Sequence, residues 1–289
     1  MRKLALLCFG LLVFPVPALG ANITWVSFHD TDAPSQAAAN AGFTQAPDIG
    51  YTDLLSANGH SVTRFLTGDL TNDDLPQLNG SDLVIISRST NSGDTNPPTI
   101  WNTMVTAPVI NMHEYTLRSS RLNWSDGTTM VATVGPSTLV AADPSHPVFD
   151  GISLDGSNTM TNPFMDVVTE NGALQRGTSI NMNNLVGGTV VGSISDDGTA
   201  AANGPVIAEW LTGATVNNGD VLAGPRLAFI SGSREVDGVT SQTAGILDLT
   251  DDGTAMFLNA VNYMAIPEPS TGILTLLAVV GLGMLRRVR

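Results

Sequence analysis

Cysteine and lysine are nearly absent from this chain. The single cysteine is Cys8 and the single lysine is Lys3, both within the first twenty of 289 residues. Whatever follows that segment has no disulfide, no thiolate metal site and no cysteine nucleophile. Charge is also scarce, at 13% of residues, and it is one-sided. Residues 21–266 carry 25 acidic side chains against seven arginines, a formal charge of −18. Nucleic acid and anionic membrane surfaces repel such a body, so no nucleic-acid partner is expected. The acidic surplus suits solubility and the capture of a divalent cation. However, the pairs Asp73-Asp74, Asp196-Asp197 and Asp251-Asp252 lack EF-hand spacing and read as turn and cap residues. Long apolar runs are confined to the two ends.

The first run has a positive start at Arg2 and Lys3, an apolar stretch from Leu4 to Val16, and small residues at Ala18 and Gly20. This three-part pattern is that of a secretory signal cut by signal peptidase between Gly20 and Ala21. Pro15 and Pro17 interrupt the stretch, against a retained anchor. The second run, Thr271 to Leu285, precedes Arg286, Arg287 and Arg289. As a helix it reaches roughly 22 Å, short of a hydrocarbon core of about 30 Å. The arginines favour the cytoplasmic side, which places the body outside the inner membrane.

Pro267-Glu268-Pro269 stands just before that run. A Pro-Glu-Pro box, a short apolar helix and a terminal arginine cluster closely resemble the PEP-CTERM sorting signal. The resemblance implies recognition by an exosortase of Gram-negative bacteria and transient anchoring in the inner membrane. Cleavage near the box and release to the outer envelope or an exopolysaccharide matrix would follow. The organisation expected is therefore a signal peptide at 1–20, one domain at 21–266 and a sorting segment with a transmembrane helix at 267–289.

Within the body, "NITWVSFHD" reads as a first strand. "PDIGYTDLLSANG" reads as a helix closed by Gly59, and Ser61–Leu66 as the second strand. Asp82–Ser87 is apolar on both faces, as in a parallel sheet covered on both sides. "TIWNTMV" gives a helix and "APVINMHEY" the next strand. The runs "TTMVATV", "STLVAA" and "GGTVVGSI" suggest an antiparallel edge or β-rich insertion, after which "GPVIAEWL" and "PRLAFISGS" restore the sheet. A closing amphipathic helix over "DDGTAMFLNAVNYM" has Thr254 or Asp252 near its cap. The fold expected is α/β: a flavodoxin-like open, mainly parallel sheet with a β-rich insertion. The four tryptophans, Trp25, Trp101, Trp124 and Trp210, are read as core, with one of them free to stack on a sugar if exposed.

The ordered series "LLSANGHSVT", "LNGSDLVIIS", "APVINM", "HPVFDGI", "RLAFISGS" and "FLNAVNYM" resembles the glutamine-amidotransferase-like superfamily, within it the ThuA-like branch. Catalytic members carry a cysteine on a sharp turn after a central strand. Here Met112 and His113 occupy that region, so glutamine hydrolysis is not expected. No Gly-x-Ser-x-Gly elbow replaces the thiol, and His113-Glu114 lacks the second histidine of a zincin.

Open parallel sheets bind ligands beyond the carboxyl ends of their strands. The polar residues there are His29, Asp30, Arg88, His113, Glu114 and Arg234, the candidate ligand-binding set. As loop-end residues they are expected to be exposed, so alanine at 113 and 114 should remove binding and leave the fold intact. His146, followed by proline, reads as structural. The leading functional expectation is a non-catalytic, exported binding protein for carbohydrate, without an organic cofactor. The alternatives are a ThuA-like enzyme acting on a sugar or small metabolite through Asp30, His113 and Glu114, and a structural matrix protein.

Overall fold

The computed structural model describes residues 20–132, 138–161, 163–170, 173–175, 179–181, 184–195, 204–236 and 238–265. The expected signal and sorting segments lie outside these residues except for Gly20, as do Asp196 and Asp197. No helix among the described residues is long and apolar enough to cross a membrane.

Apolar runs become strands where the sequence bunches β-branched residues. β1 (Asn22–Ser27) is buried from Ile23 onward. α1 (Gln36–Asn40) is a single short helix whose N-cap, Ser35, accepts from the Ala38 amide. α2 (Ile49–Ala57) ends just before Gly59, whose φ of +89° admits the left-handed turn into β2 (Ser61–Leu66). α3 (Leu75–Asn79), β3 (Leu83–Ile86), α4 (Pro98–Thr103) and β4 (Val109–Asn111) complete two further strand-and-helix units. The insertion follows, with β5 (Met130–Ala132), β6 (Thr138–Ala141), β7 (Thr159–Thr161), β8 (Val168–Glu170), β9 (Ala173–Gln175), β10 (Ser179–Asn181) and β11 (Thr189–Ser195). β12 (Gly204–Trp210), β13 (Arg226–Phe229) and α5 (Asp251–Ala265) close the domain.

Nine strands share one sheet in the order β2-β1-β3-β4-β13-β12-β11-β6-β7. The five from β2 to β13 run parallel, and each pairing from β13 outward to β7 is antiparallel. The sheet is therefore mixed α/β with half of its pairings antiparallel, which corrects the expectation of a mainly parallel one. The reason lies in the connections. A parallel neighbour needs a crossover, usually a helix, whereas an antiparallel neighbour can be reached by a turn. The described residues between β5 and β13 include no α-helix, so these strands extend the same sheet antiparallel. β5 with β10 and β8 with β9 form separate two-stranded ribbons.

Helices cover both faces. Phe257 of α5 meets Tyr51 of α2 edge-on at 5.3 Å and Phe229 of β13 at 5.6 Å, and Tyr51 stacks on Trp25 of β1. Side chains alternate along a strand, so Arg226 points to the face opposite Phe229. There it is wholly buried and donates to the carbonyls of Trp101, Val105, Ala107 and Pro225. Burial pushes its pKa down to about 9. The guanidinium ties the otherwise unsatisfied carbonyls at the end of α4 to the central sheet. All four tryptophans are buried to 3% exposure or less, so none is free to stack on a sugar.

The cap of α5 lies two residues ahead of Asp252 and four ahead of Thr254, the two residues expected near it. Thr250, ahead of both residues expected, accepts from the Gly253 amide through Oγ1 and from the Thr254 amide through its carbonyl. Gly253 sits where an added Cβ would lie 2.0 Å from the Pro163 carbonyl oxygen. Ordinarily Gly→Ala inside a helix gains about 1 kcal/mol. Here Gly253→Ala is expected to lower stability by about 1–3 kcal/mol through overpacking, read as a lower urea midpoint with unchanged slope.

Candidate functional site

The strand order reverses between β1 and β3, the place where an open sheet leaves a crevice beyond its carboxyl ends. In this chain the crevice is zipped shut. Phe28, just past β1, donates its amide to the Ser89 carbonyl just past β3 at 2.7 Å. A strap formed by residues 231–236 and 238–248 lies across the same ends. Gly232 makes the close approach: with φ at +88°, an added Cβ would stand 2.8 Å from the Arg88 Cβ.

Beneath the strap are polar groups bonded to one another. Asp48, fully buried at the start of α2, accepts from Trp25 Nε1 at 2.8 Å, Ser27 Oγ at 2.6 Å and Arg64 Nη1 at 2.9 Å. Arg64 reaches on to Asp32 and Thr52. Asp248, on the strap and fully buried, accepts from the Tyr51 hydroxyl and from the Gly232 amide, both at 2.8 Å. Burial first, and the Asp248 charge second, hold the Tyr51 phenol well above its ordinary range, so it stays a donor.

Four of the six residues singled out in the sequence come together. Arg88 stands 3.4 Å from Glu114 through Nε and 3.3 Å from Glu235 through Nη2. Arg234 lies 3.9 Å from Glu235. His113 packs edge-on against Tyr115 at 5.8 Å, and the Arg88 guanidinium lies over the same ring. The fifth, His29, is held apart: its Nδ1 accepts from the Ser35 amide, so its Nε2 donates to the Gln242 carbonyl on the strap. The sixth, Asp30, is exposed beside it.

The histidines and Glu114 are not the exposed loop-end groups expected. His29, His113 and Glu114 are 2%, 3% and 0% exposed, and Arg88, also expected at the surface, is buried at 3%. Glu114→Ala would remove one of the two carboxylates facing the buried Arg88 guanidinium and leave Glu235 as its counter-ion, a loss expected to fall short of the roughly 3–5 kcal/mol of a fully stranded charge. Alanine at 113 and 114 would therefore damage the fold, which corrects the expectation of tolerance there.

Chemically, the interior of this belt can hold the strap in register. Burial, followed by the Arg88 and Arg118 charges, pushes the His113 imidazole well below its usual range, and its Nδ1 lies 2.9 Å from Thr90 Oγ1. Groups able to meet a ligand stand at the rim: Asp30, Arg234 at 21% exposure and Glu235 at 32%. Among the described residues, no group of three or more His, Cys, Asp or Glu could hold a metal ion. Asp48, Asp248, Tyr51 and Glu235 escape sequence reasoning. Each is a lone polar residue without a motif.

No protein-family model and no curated protein matches the chain. Solved structures do. A cytoplasmic protein of Salmonella typhimurium matches at 11% identity and a TM-score of 0.45, over 84% of this chain and 98% of its own. A protein of Bacteroides uniformis described as ThuA-like matches at 11% and 0.47, over 89% and 97%. Another so described, from Parabacteroides merdae, matches at 11% and 0.49, over 87% and 94%. At these values the likeness supports no statement about residues or activity.

Stability should fall with acid before the carboxylates titrate. Burial lowers the pKa of His29, His60 and His113, so the folded imidazoles stay neutral while the unfolded chain binds protons below about pH 6.5. Protons then favour unfolding, and the stabilisation present above that pH is progressively lost below it. Urea midpoints measured between about pH 7.5 and pH 5.5 should drop, and His113→Asn should flatten the slope. A flat wild-type profile would contradict the neutral buried imidazole.

Proposed function

We propose that the chain is an exported binding protein of the bacterial envelope or extracellular matrix, sorted by an exosortase. Its amidotransferase-like sheet serves as a scaffold without catalysis, and carbohydrate is the ligand class. The observation that carries the non-catalytic reading is the closed strand-end crevice. The groups an enzyme of this outline would use, His113 and Glu114, are internal and engaged by Thr90 and Arg88. With Asp30 exposed apart from them, the ThuA-like enzyme reading has no assembled acid–base set.

The sorting half of the proposal rests on the Pro267-Glu268-Pro269 box, the apolar run and the terminal arginines. The binding half rests on the rim, where Asp30, Arg234 and Glu235 offer donors and acceptors of both signs. This mixture suits a hydroxyl-rich ligand better than a strongly charged one, because the body's net charge repels polyanions.

The test is to recover the protein secreted by an exosortase-containing Gram-negative host, determine its ends by mass spectrometry and apply it to a glycan array with and without calcium. The expected product begins at Ala21, ends near the Pro-Glu-Pro box and binds glycans. Secreted material that retains Arg289 would overturn the sorting claim. A correctly processed protein that binds no glycan in either condition would leave the structural matrix role in place of the binding one.

A further inference from the structure

Away from the strand-end belt, the antiparallel half of the sheet carries an open cavity of about 420 Å3. That size is within the ordinary range for small-molecule sites, roughly 300–1,000 Å3. His146, Asp143, Glu209, Thr189, Leu211 and Thr212 contribute to its lining.

His146 is the unusual member. It is 7% exposed, and its Nδ1 accepts from the Val148 amide at 3.2 Å, which leaves the proton of the neutral ring on Nε2. That Nε2 is buried without a hydrogen-bond partner. The nearest acceptor, Glu209 Oε2, lies at 3.8 Å, beyond hydrogen-bond reach. The Glu209 carboxylate is fixed from its other oxygen by the Tyr263 hydroxyl, and Tyr263 also packs edge-on against the His146 ring at 5.0 Å. The His146 contact, with the Tyr263 hydroxyl assisting, keeps Glu209 below the usual carboxylate range, so it remains an acceptor at neutral pH.

A donor thus faces an acceptor across a gap slightly too wide for a direct bond. An ammonium group cannot accept from Nε2–H, and an anion is repelled by Glu209 and by the exposed Asp143 on the same wall. A hydroxyl does both, because its oxygen can sit at about 2.8 Å from each and accept from one while donating to the other. Leu211, 66% exposed on the rim, supplies an aliphatic surface for the C–H face of a ring, and Thr189 and Thr212 add further hydroxyl partners.

We propose that this cavity is a binding site for an uncharged sugar unit, one of whose ring hydroxyls bridges His146 Nε2 and Glu209 Oε2. It shares its ligand class with the binding function proposed above but lies on a different part of the sheet, on residues the strand-end belt does not use.

The test is saturation-transfer NMR of the purified full chain with the methyl glycosides of glucose, galactose, mannose and N-acetylglucosamine, each at about 10 mM, enough to report millimolar affinity. Transfer to at least one glycoside is expected. It should fall at least about tenfold, roughly 1.4 kcal/mol, in Glu209→Gln. Because that change also touches Tyr263, the second variant is Thr212→Trp, which fills the mouth from an exposed position and should abolish transfer with an unchanged circular dichroism spectrum. Asp30→Ala with Arg234→Ala, at the strand-end rim, should leave this transfer intact. No transfer from the folded wild type, or transfer that survives Thr212→Trp, would overturn the inference. Loss in the rim variant alone would also overturn it while leaving the strand-end reading standing.

Discussion

The Asp48 carboxylate is the point on which the first half of the domain depends. Buried charge is costly unless its lone pairs are filled, and here three donors from two strands fill them: Trp25 and Ser27 from β1, and Arg64 from β2. Each donor belongs to a strand of the parallel set, and Asp48 itself opens α2. One side chain therefore fixes the helix against the two strands it connects. Apolar packing alone would tolerate slippage of these elements, whereas a donor set of this geometry accepts one register.

Asp248 does for the strap what Asp48 does for the helix. Tyr51 is the common neighbour: it is packed against Trp25 and Phe257, and its hydroxyl points at Asp248. The hydrophobic centre and the polar belt are thus two ends of the same aromatic side chain. This accounts for a carboxyl edge that is both rich in polar residues and closed. His29, Tyr51 and Arg88 at this edge are engaged by residues brought back from the far end of the chain, Gln242, Asp248 and Glu235.

Much of the fold was legible because its strands are apolar in unmistakable ways. Ser61–Leu66 matches its expected bounds, and β1 and β3 fall within theirs, since β-branched residues there are bounded by Gly, Asn and Asp. The short helices α1 and α3 were not legible: five residues offer too little periodicity to register against a polar loop. In the antiparallel half, β6 and β11 were read as an antiparallel edge or an insertion and β12 as part of the sheet, but β7 and the strand order were not seen, since pairing partners are a property of connections and not of local pattern. At the site, His29, Arg88, His113, Glu114 and Arg234 were found from their position after strands. The burial of His29 and Arg88 was not, because it comes with a strap more than a hundred residues away in sequence. Asp48 was hidden for a further reason. An aspartate at a helix start reads as a cap, yet its side chain makes no capping bond and turns inward.

The strap also dictates the order in which the molecule can be made. His29 meets Gln242 across 213 residues, and Tyr51 meets Asp248 across 197. β13 slots beside β4 with Arg226 opposite Val109, after the whole insertion has passed. Contacts of such sequence separation form late and slowly, because loop closure precedes any reward from packing. A nascent chain that lacks its last quarter holds the Asp48 half without its lid and with β4 missing a neighbour. It cannot lock into the finished sheet until residue 248 is free to fold. Completion of the sheet and of the polar belt is thereby deferred until β13 and the strap have been made.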